Sequence, residues 1–230
     1  ILLFAKIPNK LKDNKGTEAL NENGLMQKGI KLIKSINPEI LVISDVALDP
    51  YSSYGHDGIV LDNKIVNDET NKVLSKMALS HAKAGVDFVS PSDMMDGRIG
   101  EIRKSLDKNG LTMTQILSYA VKYASSFYGP FRDAVGSKGF LKGNKKNYQM
   151  DFKNSNEAVR EVALDIKEGA DMVMVKPGLP YLDIIRLVKE NFKIPVMAYQ
   201  VSGEYSLLTH GIEKGLIDKN AIIESLIAFK

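Results

Sequence analysis

Short apolar runs alternate with amphipathic stretches along the whole chain. Ile1–Ala5, Ile40–Ser44, Asp87–Ser90, Gln115–Tyr119, Met172–Lys176 and Pro195–Gln200 are mostly continuous in apolar residues. That pattern predicts strands buried on both faces, as in a parallel sheet covered by helices. Helical periodicity takes over between them. Across Glu69–Ala84, Val73, Leu74, Met77, Ala78 and His81 fall on one face, and across Tyr181–Asn191 so do Leu182, Ile185 and either Leu187 or Val188.

One punctuation recurs, Ala84-Gly85-Val86-Asp87 and Glu168-Gly169-Ala170-Asp171, each just before an apolar run that ends in proline. Glycine there predicts a left-handed helix C-cap, so the repeat reads as helix, Gly-x-Asp, strand. Repetition of that unit predicts an α/β fold of the (β/α)8 TIM-barrel kind. Only six strands are counted where a closed barrel needs eight, so the barrel is expected to be incomplete, within one domain over residues 1–230. Two polar loops stand out, Asn9–Glu18 and Gly136–Lys153, and the second is long enough to read as a lid.

Composition narrows the classes. At 44% apolar and 26% charged residues the chain carries enough material for a sizeable core, and a net charge of +3 makes no case for nucleic acid. No run approaches the length of a membrane span. There is no cysteine, which excludes disulfides, thiolate metal sites and a cysteine nucleophile and fits a cytoplasmic setting.

Candidate chemistry gathers at the predicted carboxyl ends of strands. Lys176 closes the run Met172-Val173-Met174-Val175 and precedes Pro177-Gly178. A lysine desolvated there loses its proton more easily and can attack a carbonyl, whereas an ordinary lysine would snorkel to the rim. Lys122 follows the apolar Ile116-Leu117 on the preceding strand, where two ammonium groups would depress each other's pKa. Asp45, Ala47 and Asp49 share one parity, and Asp57 follows a glycine-rich turn. Such carboxylates can hold a hard cation or a substrate amine, although Asp49 and Asp57 also read as plain loop aspartates. Ser92 and Asp93 lie where loops line a barrel mouth, with Ser92 or Asp96 expected to cap the next helix. Arg132 sits among aromatics as a carboxylate clamp, and Lys138, Lys142, Lys145 and Lys146 make the lid basic.

Five segments, DVALDPYSSYGHDG, SPSDMMDGR, YASSFYGPFRDA, MVMVKPGLPYLDI and YQVSGEY, carry a resemblance that runs from Ile1 to Lys230. The chain resembles the porphobilinogen synthase (5-aminolaevulinate dehydratase) family. The resemblance implies an asymmetric condensation of two 5-aminolaevulinate molecules, with Lys176 forming the imine to the propionate-side substrate and Lys122 engaging the acetate-side one. By the same resemblance Arg132 and Lys145 hold the acetate-side carboxylate and Ser202 the propionate-side one. Asp45, Ser92 and Asp93 surround the substrate amine, with Phe127, Tyr128, Gln149 and Tyr199 lining the pocket and lid.

Zinc-dependent members carry three cysteines where this chain has Ala47, Asp49 and Asp57. The resemblance is therefore to the aspartate-rich, zinc-independent subgroup, and no zinc is expected. Glu161 matches a glutamate that binds an allosteric Mg²⁺, although as a residue it reads only as an exposed helical acid. Asp49 and Asp57 remain weaker metal candidates. A homo-oligomer, octamer or hexamer, is implied, with no nucleic-acid or membrane partner. The family's first and last strands are expected to fall outside residues 1–230, so that these residues alone would be inactive. Two rivals are a single-lysine Schiff-base aldolase and a non-catalytic protein gripping an anionic polymer. The first gives no reason for a second lysine beside a basic lid, and the second calls for basic residues spread over a face with stacking aromatics, whereas here the aromatics precede the lysines in one loop.

Overall fold

The computed structural model describes residues 1–134 and 143–230, with Arg132 and Asp133 described by their backbone alone. Among the described residues there are eight strands: β1 (Leu2–Leu3), β2 (Ile43–Val46), β3 (Val60–Leu61), β4 (Lys64–Ile65), β5 (Phe88–Pro91), β6 (Gln115–Lys122), β7 (Met172–Lys176) and β8 (Val196–Ala198). The helices are α1 (Leu25–Ile36), α2 (Asn67–Lys83), α3 (Arg98–Lys108), α4 (Gly129–Ala134), α5 (Ser155–Glu168), α6 (Leu182–Asn191), α7 (Ser202–Glu213) and α8 (Ala221–Ala228). Six strands form one parallel sheet in the order β1-β2-β5-β6-β7-β8, the curled α/β sheet of an incomplete barrel. The β3–β4 hairpin lies apart and was not expected; its Asp62-Asn63 turn has both residues at positive φ, which two polar residues tolerate.

All six expected sheet strands exist, with shifted limits. The strand expected over Gln115–Tyr119 continues to Lys122, while that over Pro195–Gln200 shortens to three residues. Gly85 and Gly169 take φ of 99° and 108°, the left-handed values a C-cap requires. The aspartate of each Gly-x-Asp unit has a specific task. Asp87 accepts a hydrogen bond from Val42 N at 2.7 Å, and Asp171 accepts one from Ile116 N at 2.7 Å. Each carboxylate thus satisfies a backbone donor beside the start of a neighbouring strand, so the repeat stitches the sheet at its amino end.

Side chains leave the sheet in two directions. Outward residues such as Val46 and Val89 pack beneath α2 and α3 with Leu74, Met77, Ala78, Ile99 and Ile102. Val173 and Val175 pack with Val162, Ile184, Ile185 and Val188 from α5 and α6. Full burial of each such aliphatic side chain is worth about 1.5–3 kcal/mol, which holds the helices against the strands. On α6 the buried stripe is Ile184, Ile185 and Val188, with Leu182 and Leu187 only half-buried. His81 packs as expected and meets Ser44 Oγ at 2.9 Å; burial lowers its pKa to about 3 and keeps the ring neutral. Inside the curl lie Ile43, Phe88, Leu117, Tyr119, Met172, Met174, Met197 and Tyr199. Lys176 shares parity with Met172 and Met174 and therefore also points inward.

Helix α3 is not capped as expected. Its N-cap is Gly97 with no side-chain cap, and neither Ser92 nor Asp96 serves. The Asp96 carbonyl instead accepts from Asn67 and Asn71 of α2, which fixes the loop from the neighbouring helix. Among the described residues no helix is long and apolar enough to cross a membrane.

Candidate active site

Strand β7 carries Lys176 to the carboxyl end of the sheet, where the side chain is only 5% exposed. Four rings surround its ammonium: Tyr199 at 4.5 Å from the ring centroid, Phe131 at 5.0 Å, Tyr119 at 5.2 Å and Tyr128 at 5.4 Å. Tyr128 and Tyr199 had been expected as pocket residues; Tyr119 and Phe131 had not. Tyr119 shares its strand face with Leu117, a parity signal that alternation along β6 carries. Burial among these rings and the nearby Lys122 lower the Lys176 pKa to about 7. At neutral pH a large fraction of Lys176 is thus free amine, the nucleophilic form.

Lys122 is the cross-strand partner of Lys176. Its ammonium donates to the Ser92 carbonyl and lies 3.9 Å from Asp57 Oδ2. Asp45, at the inward end of β2, is buried against the side chain of Ser92; burial and then Asp49 push its pKa up to about 7. Asp93 is fully buried and accepts from Met95 N at 2.8 Å, and burial raises it to about 6 against the pull of Arg98. Two lysines and the carboxyl of Asp45 therefore share one space, with Asp93 buried next to Ser92. Such a site can form an imine and pass protons near neutrality.

Lys145 departs from the solvated basic loop that was expected. It is buried, with Nζ 2.9 Å from Asp57 Oδ1 and 3.2 Å from Asp49 Oδ2. Burial alone would push Asp57 up, but Lys122 and Lys145 outweigh it and hold the carboxyl below its usual range. Asp49 goes the other way, raised by burial against Lys145. The two aspartates are thus more than plain loop residues: a lysine ammonium lies between them. Gln149 is buried in the same segment, and its N–H donates to the Lys145 carbonyl. Lys138 and Lys142 lie outside the described residues, as does most of the expected lid before Gly143.

Ser202 opens α7, and its Oγ accepts from Phe131 N at 3.0 Å, so it stands beside the aromatic cage. Phe127 lies in the turn that carries Tyr128. The side chain of Arg132 lies outside the described residues; its backbone sits in α4.

A separate cavity of about 620 Å³ opens between α3, α5 and residues 146–151, lined by Asp96, Glu157, Glu161, Asp165, Glu168 and Arg98. Glu161 faces it half-buried, not exposed, and burial together with Asp165 and Asp96 raises its pKa. Arg98, unremarked in the sequence, is 3% exposed; it donates to Asp165 at 2.8 Å and stands 3.8 Å from Asp93. It therefore lies between the acidic cavity and the lysine site.

The profile of the delta-aminolevulinic acid dehydratase family matches residues 1–230. The chain belongs to that family. It is 55% identical over 231 residues to the delta-aminolevulinic acid dehydratase of Bradyrhizobium diazoefficiens, covering all of this chain and 65% of that one. The Methanothermus sociabilis enzyme is 56% identical over 230 residues, 71% of its length. The crystal structure of the Toxoplasma gondii porphobilinogen synthase, in complex with the reaction product porphobilinogen, superposes with a TM-score of 0.97 at 52% identity. That match covers 99% of this chain and 66% of that one. The chain thus spans about two thirds of the length of these family members.

Proposed function

We propose that this protein condenses two molecules of 5-aminolaevulinate into porphobilinogen and releases two molecules of water. The observation that carries this reading is the pairing of two buried lysines, Lys122 and Lys176, across adjacent parallel strands, with Lys176 near pKa 7. In the proposal the Lys176 amine attacks the substrate ketone and loses water to give an imine. The flat four-ring enclosure excludes bulk water from that imine and favours its retention. Lys122 then activates the second ketone. Asp45 and Asp93, with Ser92, hold and deprotonate the substrate amine, a role that raised carboxyl pKa values near neutrality support.

Arg132 and Lys145 are proposed for the acetate-side carboxylate and Ser202 for the propionate-side one. Lys145 binds Asp49 and Asp57 in this structure, so that role requires it to release them. An assay that separates this reading from its rivals is borohydride trapping with 5-aminolaevulinate followed by peptide mass mapping. A reduced adduct on Lys176 together with a pyrrole product is expected. Trapping at another lysine, or none, would overturn the reading.

We further propose the zinc-independent subgroup with Mg²⁺ as an effector. The donors support a hard ion: the chain has no cysteine to offer a thiolate, and the cavity at Glu161 is lined by several carboxylates. Among the described residues no three His, Asp or Glu side chains converge as a direct ligand set. A hydrated Mg²⁺ held through water by Glu161, with Asp96 and Asp165 nearby, fits that arrangement. Bound there, the ion would supply positive charge to an acidic cavity. Assembly into a homo-oligomer is also proposed, supported by the exposed apolar residues Leu25, Leu32 and Ile36 on α1. Sedimentation velocity of the protein tests it, and a monomer would refute it.

A further inference from the structure

Glu204 takes no part in the chemistry proposed above, yet it is 3% exposed and both its oxygens are used. Oε1 accepts from Leu179 N at 2.6 Å, and Oε2 accepts from Val201 N at 2.6 Å and from Gly178 N at 3.3 Å. A glutamate in the first turn of a helix often reaches back to the N-cap N–H, as Glu204 does to Val201. The other two donors belong to a different element: they lie two and three residues after Lys176, in the turn that leaves β7. One buried carboxylate therefore ties the Lys176 turn to the end of α7 that presents Ser202.

Two further contacts fix that junction. A Cβ on Gly203 would lie 2.3 Å from the Phe127 carbonyl oxygen, so α7 rests directly on the turn carrying Tyr128. Ser202 Oγ accepts from Phe131 N, which joins α4 to the same point. Both Tyr128 and Phe131 cover the Lys176 ammonium.

We propose that Glu204 is a positioning residue that holds Lys176 buried in its aromatic cage and in register with Ser202. The proposal rests on the imine reading of Lys176. Glutamine has the volume of glutamate but replaces one acceptor oxygen with an NH₂ group, which would face a backbone N–H. Glu204→Gln should therefore loosen the turn without emptying the core. The groups that set the charge of Lys176 lie on other elements: Lys122 and Tyr119 on β6, Asp45 on β2, Asp49 and Asp57 after it, Tyr128 before α4 and Tyr199 after β8.

The sign of the effect distinguishes positioning from charge. Loosening lets water reach the Lys176 ammonium and raises its pKa, because burial is what depresses it most. Removing the Glu204 anion would by itself lower that pKa. The experiment is borohydride trapping of 5-aminolaevulinate on Lys176 across the neutral and alkaline range, with the thermal midpoint recorded in parallel. Glu204→Gln is expected to trap roughly tenfold or more slowly at neutral pH, with its pH midpoint moved upward. A core control, Ile102→Val, should lower the thermal midpoint and leave the trapping midpoint in place. An unchanged or lowered trapping midpoint in Glu204→Gln would overturn the proposal and leave Glu204 as a helix cap. Should Glu204→Gln fail to fold, Glu204→Asp, too short to reach all three donors, is read by the same criterion. Absence of trapping in the unmodified protein would instead refute the imine reading itself.

Discussion

Lys122 faces Lys176 because β6 carries one residue more than β7 between their paired positions. Ser118 pairs with Val173 and Val121 with Val175, so three steps on β6 match two on β7. Without that bulge, strict alternation from the inward Leu117 and Tyr119 would turn Lys122 toward the helices. With it, Val121 takes the outward place and Lys122 joins Lys176 inside the curl. Bulges that re-aim one side chain are common beside active sites.

This pairing separates the roles of the two lysines. Lys176→Ala is expected to abolish both imine trapping and pyrrole formation, with turnover reduced by on the order of 10⁴-fold or more. Lys122→Ala should retain trapping of the first substrate at Lys176 while losing the condensation. Intact-mass analysis after borohydride treatment, beside a colorimetric pyrrole assay, reads both. Measurable turnover in Lys176→Ala would refute the assignment.

Charge around Lys176 predicts opposite pH shifts from two neighbours. Imine formation needs the free amine, so trapping should increase as pH rises through about 7. Lys122 lowers the Lys176 pKa and Asp45 raises it. Lys122→Met should therefore move the trapping midpoint upward and Asp45→Asn should move it downward. An unmoved midpoint in both variants would show that burial alone sets it, and shifts of the same sign would refute the charge assignment.

Much of this was legible in the sequence, and the exceptions have physical causes. Apolar runs, two of them preceded by Gly-x-Asp, marked the six sheet strands because strands buried on both faces tolerate few polar residues. The run Met172–Val175 placed Lys176 at the carboxyl end of a strand, where the structure has it. The bulge at 118–121 left no signature, since Tyr119, Ala120 and Val121 are all apolar or aromatic and fit either face. The family resemblance alone singled out Lys145; nothing in the pattern of that polar loop signals its approach to Asp49 and Asp57. Nor does any pattern signal the approach of Arg98 and Asp165, 67 residues apart in sequence yet joined by a buried ion pair.

The Lys145 ion pairs carry a stability prediction. Removing one partner of a buried pair leaves uncompensated charge and typically costs about 3–5 kcal/mol. Lys145→Met strips Asp57 of one of the two cations that hold its pKa low, so denaturant unfolding at neutral pH should show a loss approaching that order. For Asp57 the linkage has a definite sign. A depressed folded pKa stabilises the fold above the ordinary aspartate range, and that contribution fades as pH falls through the folded value. The difference between Lys145→Met and the unmodified protein should thus narrow in acid. Lys145→Met combined with Asp57→Asn should recover part of the loss, and strict additivity of the two would show that they do not interact.

The metal proposal makes a prediction that does not depend on turnover. If Glu161 holds a hydrated divalent ion, Mn²⁺ used as a paramagnetic probe should bind the unmodified protein, and Mg²⁺ should displace it. Glu161→Ala should lose that binding while leaving imine trapping at Lys176 intact, because the acidic cavity and the lysine cage are lined by different residues. Any effect of the ion on the active site must then pass through intermediate groups, and Arg98 is placed for it, with Asp165 on one side and Asp93 on the other. Arg98→Lys keeps a positive charge but cannot span both carboxylates with a planar fork. It is expected to retain Mn²⁺ binding and to lose the response of activity to Mg²⁺. A zinc-selective chelator should leave pyrrole formation unaffected in each folded variant that retains it, whereas inactivation reversed only by zinc would overturn the zinc-independent reading. Equal Mn²⁺ binding by Glu161→Ala and the unmodified protein would place the ion elsewhere.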